Sequence, residues 1–316
     1  MVADGMGVNS TALLILLKRQ KKRPHAILMA DTGAEKPQTY AYVEVRQQWL
    51  QSVGFPPLTI VRYEPKDFKN WPPYHTLDEN CFTNGTLPSL AFGFKSCSQK
   101  WKISPQNRWA EDWSLARDCW AAGGRVRKSI GYDAGPADSR RYAHAEGHME
   151  DALYLYDYPL RDASLDRQGC VDLIIDEGLP VPIKSACFMC PALKPRELHE
   201  LERKQLRAIV LMEARAHPRL LAYAESKGWP KGVGNPIVEG LWRTAVKGVR
   251  KGTMPRPGQM TAYIRSEGLL PAAEIDFIWN EVPTRLIAWQ EGFARGEHND
   301  ELSRFIALLE SPTDLA

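Results

Sequence analysis

The chain has 316 residues, 44% hydrophobic and 25% charged, with a formal net charge of +3. It is long enough for a large core and more than one typical domain, and too weakly basic to argue for nucleic acid by charge alone. No apolar run reaches the roughly 18 residues that span a bilayer, and the apolar run near the N-terminus precedes its basic cluster, the reverse of a signal peptide. No membrane contact is expected, and the expected compartment is cytoplasmic. There, six cysteines read as metal ligands or reactive thiols before disulfides.

The organising stretch is Asp4-Gly5-Met6-Gly7-Val8-Asn9-Ser10-Thr11. Small residues lead into a helix from Ser10 to about Gln20, with Leu13, Leu14, Leu16 and Leu17 as apolar positions. Free N–H groups at such a helix start, with its dipole, hold an anion such as phosphate. Glycine at 5 and 7 lets the backbone come close, and Asn9 or Ser10 can cap the helix. Only Met1-Val2-Ala3 precede the loop, so the first strand is expected to be stunted or the start to lie late.

Ile27–Ala30 reads as a short buried strand, running into Asp31-Thr32-Gly33-Ala34-Glu35-Lys36-Pro37 and a helix to about Ser52. Its inner face is read as Tyr42, Val43, Val45, Trp49 and Leu50. Loop–helix–strand–loop–helix is a βαβ layout that puts both loops on the carboxyl edge of a parallel sheet, where nucleotides bind. A third strand is predicted at Leu58–Val61. Asp67–Gly85 lacks a clean period and reads as a surface excursion, a candidate lid.

Lys95-Ser96-Cys97-Ser98-Gln99-Lys100-Trp101-Lys102 then places cationic side chains around a thiol just before a helix. That suits a phosphate or sulfate group, or a thiolate ligand in a positive field. A helix is predicted over Trp109–Ala122 and a strand over Val126–Ile130. The strand leads into Gly131-Tyr132-Asp133-Ala134-Gly135-Pro136-Ala137-Asp138-Ser139-Arg140-Arg141, where Arg140 and Arg141 can pair with phosphate. A strand at Ala152–Tyr156 ends in Tyr158-Pro159-Leu160, and a helix follows over Leu165–Glu177.

Lys184-Ser185-Ala186-Cys187-Phe188-Met189-Cys190-Pro191 is the second strong motif. Two thiols with two residues between them can reach one metal, and the remaining ligands would be Cys97 and Cys170, with Cys81 as a substitute for either. A [4Fe–4S] cluster, structural zinc and no metal all remain open on spacing, because four thiolates suit both metals. Beyond Pro195 the pattern is helical: Glu197–Ala216, Leu220–Ser226, Pro257–Glu267, Ala272–Gly292 and Asp300–Leu309. Arg243, Lys247, Arg250, Lys251, Arg256 and Arg265, with Trp242 and Tyr263, form a basic stripe, read either as a solubilising face or as a hold for a nucleic-acid backbone or a polyphosphate.

The two loops, the Tyr-Pro-Leu strand end and the Cys-x-x-Cys-Pro motif, in this order over about residues 4 to 200, resemble the ATP-pyrophosphatase (adenine nucleotide alpha hydrolase) superfamily. Within it they are similar to the phosphoadenylyl-sulfate reductase-like branch. That family has Ser-Gly-Gly-x-Asp-Ser where Gly5-Met6-Gly7-Val8-Asn9-Ser10 stands here. The resemblance implies a doubly wound, mostly parallel, Rossmann-like α/β domain over residues 1–194, followed by a helical region over 195–316. It implies ATP with Mg2+, bound through Gly5, Gly7, Asn9, Ser10, Thr11, Asp31, Thr32, Gly33, Gly131, Arg140 and Arg141, with Asn9, Ser10 and Lys102 catalytic. It implies a cluster or zinc on Cys97, Cys170, Cys187 and Cys190. Of the family's chemistries, adenylation of a substrate oxygen for sulfur transfer is expected, with DNA or tRNA as acceptor and a cysteine desulfurase as sulfur donor. Reduction of the sulfonucleotide is the alternative, but no cysteine lies beyond Cys190 to serve as the family's C-terminal nucleophile, which leaves Cys81 or Cys97 as the substitute. A non-catalytic nucleotide- or nucleic-acid-binding module is a further alternative.

Overall fold

The computed structural model describes residues 1–67, 73–88, 96–226 and 260–280, together with Glu291 and Arg295. The chain divides into two compact units, Met1–Tyr63 with Gln99–Ala186, and Glu64–Ser98 with Cys187–Ala316. Neither unit follows the boundary at residue 194 expected from the sequence.

The first unit is built on five parallel strands: β1 (Val2–Ala3), β2 (Ile27–Asp31), β3 (Leu58–Arg62), β4 (Val126–Ile130) and β5 (Tyr154–Asp157). Their order is β3-β2-β1-β4-β5, a doubly wound Rossmann-like α/β arrangement. β1 is stunted at two residues, yet it pairs on both sides. Val2 lies opposite Ile27 and Ser129, and Ala3 opposite Leu28 and Ile130. A parallel central strand is buried on both faces, and β2 (Ile-Leu-Met-Ala-Asp) is buried along its whole length.

Alternation along β2 feeds two cores. Ile27 and Met29 join one cluster with Leu13, Leu14, Tyr42, Trp49, Leu50, Cys170 and Ile174, from α1 (Val8–Arg19), α2 (Pro37–Ser52) and a third helix, Arg167–Asp176. Leu28 joins the other with Ala110, Ala116, Val126 and Tyr154, under α3 (Ser104–Asp112) and α4 (Ser114–Ala121). The single helix predicted over Trp109–Ala122 is thus two, broken at the extended Trp113. A π-helical turn, Gln99–Ile103, precedes α3. The segment after β4 is not all turn. It becomes a helix, α5 (Pro136–Glu146), with proline at its start and Asp138 in its first turn, both favourable at a helix N-terminus. The helix Arg167–Asp176, labelled α6, is capped by the Asp166 carboxylate, which accepts from Gly169 N.

In the second unit, the predicted excursion at Asp67–Gly85 contains a helix, α7 (Leu77–Asn84). Thr76 and Glu79 form its capping box, a side-chain-to-backbone exchange at both ends of the first turn. The other described helices there are the short Ser96–Ser98 and Pro195–Leu198, then α8 (Arg203–Ser226), α9 (Met260–Ser266) and α10 (Ala272–Asn280). The buried Glu213 carboxylate accepts from Met260 N at 3.2 Å and Thr261 N at 2.9 Å, closing the start of α9. The predicted helix Asp300–Leu309 lies outside the described residues, as does the basic stripe except for Tyr263 and Arg265. Arg265 pairs with Asp276. No described helix is long and apolar enough to cross a membrane.

Candidate functional site

The strand order reverses direction between β1 and β4, and their carboxyl ends open a crevice there. In open α/β sheets this switch point is where ligands bind. A cavity of about 410 Å³ occupies it, lined by the loop after β1, the first turn of α1, the end of β2, and the loop after β4. Lys102, Arg141, Arg167 and Lys184 line it as well.

The loop after β1 is held by side chains rather than by glycine alone. Met6 adopts φ 59°, the left-handed conformation that glycine would take without strain. Its side chain is 1% exposed and packs into the α1–α2 core. Asp4 Oδ1 accepts from Met6 N at 2.7 Å. Ser10 Oγ both accepts from Gly7 N at 3.2 Å and donates to Gly7 O at 3.1 Å. Thr11 Oγ1 donates to Gly7 O at 2.8 Å and accepts from Arg46 Nη2 at 2.5 Å. Ser10 therefore lines the cavity while its hydroxyl ties the loop, and Thr11 is buried beneath it.

Gly7 and Gly131 permit two close approaches. A Cβ on Gly7 would stand 3.0 Å from Ser185 Oγ, and one on Gly131 would stand 3.1–3.2 Å from the backbone of Asn9 and Ser10. The Lys184-Ser185 segment thus lies across the loop after β1, and the loop after β4 lies against the first turn of α1.

Asn9 is engaged on every polar atom. Its Nδ2 donates to Asp133 Oδ2 at 2.9 Å and Asp138 Oδ2 at 2.8 Å, and its Oδ1 accepts from Arg167 Nη1 at 2.8 Å. Because that acceptor is neutral, this contact leaves the Arg167 charge unbalanced, facing the cavity. Arg141 donates to Asp138 Oδ1 at 3.1 Å. Arg140 is exposed and does not line the cavity.

The loop after β2 is organised around Asp31 but reaches the cavity through Glu35. Asp31 Oδ1 accepts from Gly33 N and from the Tyr40 hydroxyl, each at 2.8 Å. Its Oδ2 accepts from Arg62 Nε at 2.9 Å and pairs with Arg62 Nη2 at 2.8 Å. Burial and the Asp31 carboxylate push the Tyr40 phenol far up, so it stays a donor. Asp31, Thr32 and Gly33 are not among the lining residues, whereas Met29, Ala30 and Glu35 are. Glu35 Oε1 accepts from Lys102 Nζ at 2.8 Å. The π-helical turn carries Lys102, and such irregular turns recur at functional sites.

An aromatic wall closes the β4–β5 side. Tyr132 lines the cavity and stacks on Tyr158 with ring centroids 5.4 Å apart. Tyr142 meets Tyr158 edge-on at 5.1 Å, and the Arg161 guanidinium lies 4.2 Å from the Tyr142 ring centroid. Burial pushes the Tyr132 phenol up, so that ring faces the cavity uncharged at physiological pH.

The cysteines divide between the units. Cys170 is fully buried in the core beneath α1, and burial pushes its thiol up to about 12, opposing thiolate formation. Cys81, Cys97, Cys187 and Cys190 belong to the second unit. Among the described residues, no three His, Cys, Asp or Glu side chains are gathered to hold one metal ion. Cys170 packs as an apolar side chain within the first unit's core.

Of the residues named from the sequence, Gly5, Gly7, Asn9, Ser10, Lys102, Gly131 and Arg141 line one cavity. Glu35, Asp133, Asp138, Arg167 and Ser185 were not singled out, although all but Arg167 lie within the motifs. No family model, curated protein or solved structure matches the chain.

Proposed function

We propose that the first unit binds an adenine nucleotide in the β1–β4 crevice, with its phosphates on the first-turn amides of α1. The observation that carries this reading is the joining, in one cavity, of a helix N-terminus with Arg167, Lys184, Lys102 and Arg141. Backbone donors and cationic forks together are a phosphate site. The Tyr132 ring offers a planar apolar face for an acceptor base or ring.

The reaction proposed is adenylation. A substrate oxygen attacks the α-phosphorus of ATP, the bond from that phosphorus to the bridging oxygen breaks, and pyrophosphate leaves. Hydrosulfide then displaces AMP and leaves sulfur on the acceptor, for which DNA or tRNA is proposed. Where a cysteine desulfurase supplies the sulfur, its persulfide displaces AMP to give an acceptor–carrier disulfide, and a second thiol cleaves the S–S bond to leave the sulfur on the acceptor. The amides of Val8, Asn9 and Ser10 and the Arg167 guanidinium are preorganised donors for the charge that develops on phosphate oxygens. Lys102, held by Glu35, orients toward the same space.

The test is formation of AMP and pyrophosphate by the purified full chain with sulfide and nucleic acid. Stoichiometric release of both is expected, and loss of release in Arg167→Ala. Tight ATP binding without either product would leave the non-catalytic module as the function. Sulfite formation with thioredoxin would select the reductase.

A further inference from the structure

Asn9 stands where two carboxylates converge. Its amide nitrogen is the single point faced by Asp133 Oδ2 at 2.9 Å and Asp138 Oδ2 at 2.8 Å. The orientation of the amide is fixed by charge. Reversing it would set oxygen against two anions and an N–H2 group against the Arg167 guanidinium. The other carboxylate contacts are also made. Asp133 Oδ1 accepts from Gly135 N at 2.8 Å, Asp138 Oδ1 from Arg141 Nη1 at 3.1 Å, and Asp138 Oδ2 from Asp133 N at 3.2 Å. Both carboxylates are buried, 5% and 7% exposed. Asp138 is paired with Arg141, and the group set between the two carboxylates is neutral.

We propose that Asn9 fills the place of a divalent cation and makes this a site without one. A magnesium ion takes oxygen ligands and is commonly held by one or two carboxylates. Two carboxylate oxygens here face one centre, but that centre is an N–H2 group hydrogen-bonded to both. The Asn9 amide occupies the point on which both oxygens converge and Asp138 is already paired with Arg141, so a dication has no room between them. An aspartate at position 9 would remove the bridging donor, add a third carboxylate and open the centre to a metal. This departs from the magnesium expected from the family resemblance. The phosphates are instead neutralised by α1 amides and cationic side chains. That last statement rests on the proposed nucleotide reading, whereas the statement about the carboxylates does not.

The test is titration of the full chain with Mn2+ alone, followed by the electron paramagnetic resonance of the free ion. Four proteins are compared: wild type, Asp138→Asn, Asn9→Asp, and the double variant. Wild type and Asp138→Asn are expected to be indistinguishable, while Asn9→Asp gains one Mn2+ per chain that the double variant loses. A wild-type Mn2+ site removed by Asp138→Asn overturns the proposal. So does an Asn9→Asp protein with native circular dichroism that gains no ion. If Asn9→Asp does not fold, the comparison of wild type with Asp138→Asn still decides the claim for the native chain. Calorimetry with ATP in EDTA and in magnesium separates the two readings. Wild-type affinity is expected to change less than about threefold, under 1 kcal/mol, and absence of ATP binding in both buffers sinks the nucleotide reading while the Mn2+ result stands.

Discussion

Replacing Met6 tests how the loop after β1 is held. Met6 combines a left-handed φ of 59° with a side chain that is 1% exposed in the core. Removing that side chain is expected to cost about 2–4 kcal/mol, the usual range for a buried methionine truncated to a small residue. The two smallest replacements should then differ in an unusual direction. At an ordinary φ, glycine is worse than alanine by roughly 0.5–1 kcal/mol, because it has more freedom to lose. Here alanine keeps the strain and glycine releases it, so Met6→Gly is expected to be more stable than Met6→Ala by about 1 kcal/mol. Urea unfolding of the three proteins, followed by tryptophan fluorescence, measures this as a shift in midpoint at constant slope. An alanine variant equal to or better than glycine refutes the left-handed geometry. Two variants as stable as wild type refute the anchoring of the loop by the core.

Gly131→Ala is expected to press on Asn9 and Ser10 and weaken ATP binding by about tenfold, within the 1–3 kcal/mol typical of overpacking; unchanged affinity by calorimetry argues against close packing of the two loops. Arg46→Met should cost about 3–5 kcal/mol by stranding the buried Asp4 carboxylate, and Asp4→Asn in the same chain should recover much of it in urea unfolding. Lys128 is buried beneath α3, donates to Asn107 Oδ1 at 3.1 Å, and burial lowers its amine from 10.5 to about 8. The unfolded chain therefore holds that proton more tightly, so the penalty is full below pH 8 and fades as pH rises toward 10.5. Lys128→Met should stabilise by roughly 2–3 kcal/mol at pH 7 and by little at pH 10.5, as read by denaturation at the two values. Metal analysis of anaerobically purified protein should be indifferent to Cys170→Ala, since that thiol is core. A loss of iron or zinc with that change restores Cys170 as a ligand.

The sheet was legible because parallel strands are short apolar runs between loops. β2 and β3 begin at Ile27 and Leu58, where such runs start, whereas β4 (Val-Arg-Lys-Ser-Ile) is bracketed by Gly123-Gly124 and Gly131. The crevice was legible because Gly5–Ser10 and Gly131 punctuate the ends of strands that prove to be neighbours. Other features carried signals that were overridden. Thr76 and Glu79 spell a capping box, but the prolines and aromatics before them obscured the helix. Pro136 and Asp138 mark a helix start inside what reads as a turn. Arg46 falls four residues after Tyr42 and three before Trp49, so helical spacing puts it on the buried face, where a charge is informative. Cys170 could not be told from a ligand by spacing, because only its three-dimensional surroundings distinguish a core thiol from a metal thiolate.

Arg46 also explains how a two-residue strand can carry a binding loop. β1 itself offers few bonds: Val2 N donates to Ala26 O and Asp4 N to Leu28 O, each at 2.8 Å, and Ser129 N donates to Met1 O at 3.0 Å. The loop beyond is bracketed by one guanidinium. At one end Arg46 Nε lies 3.5 Å from Asp4 Oδ2, and Asp4 Oδ1 holds Met6 N. At the other end Arg46 Nη2 holds Thr11 Oγ1, which holds Gly7 O. The backbone is thus shaped by contacts on its buried side. The first-turn amides of α1 are thereby positioned from beneath the cavity. A site arranged in this way spends little binding energy on ordering and keeps its donors fixed where charge is to develop. The same logic makes Asn9 the residue to watch. A neutral strut between Asp133 and Asp138 holds the second loop in place with no ion, as Arg46 holds the first, so the cradle's shape should not depend on added metal.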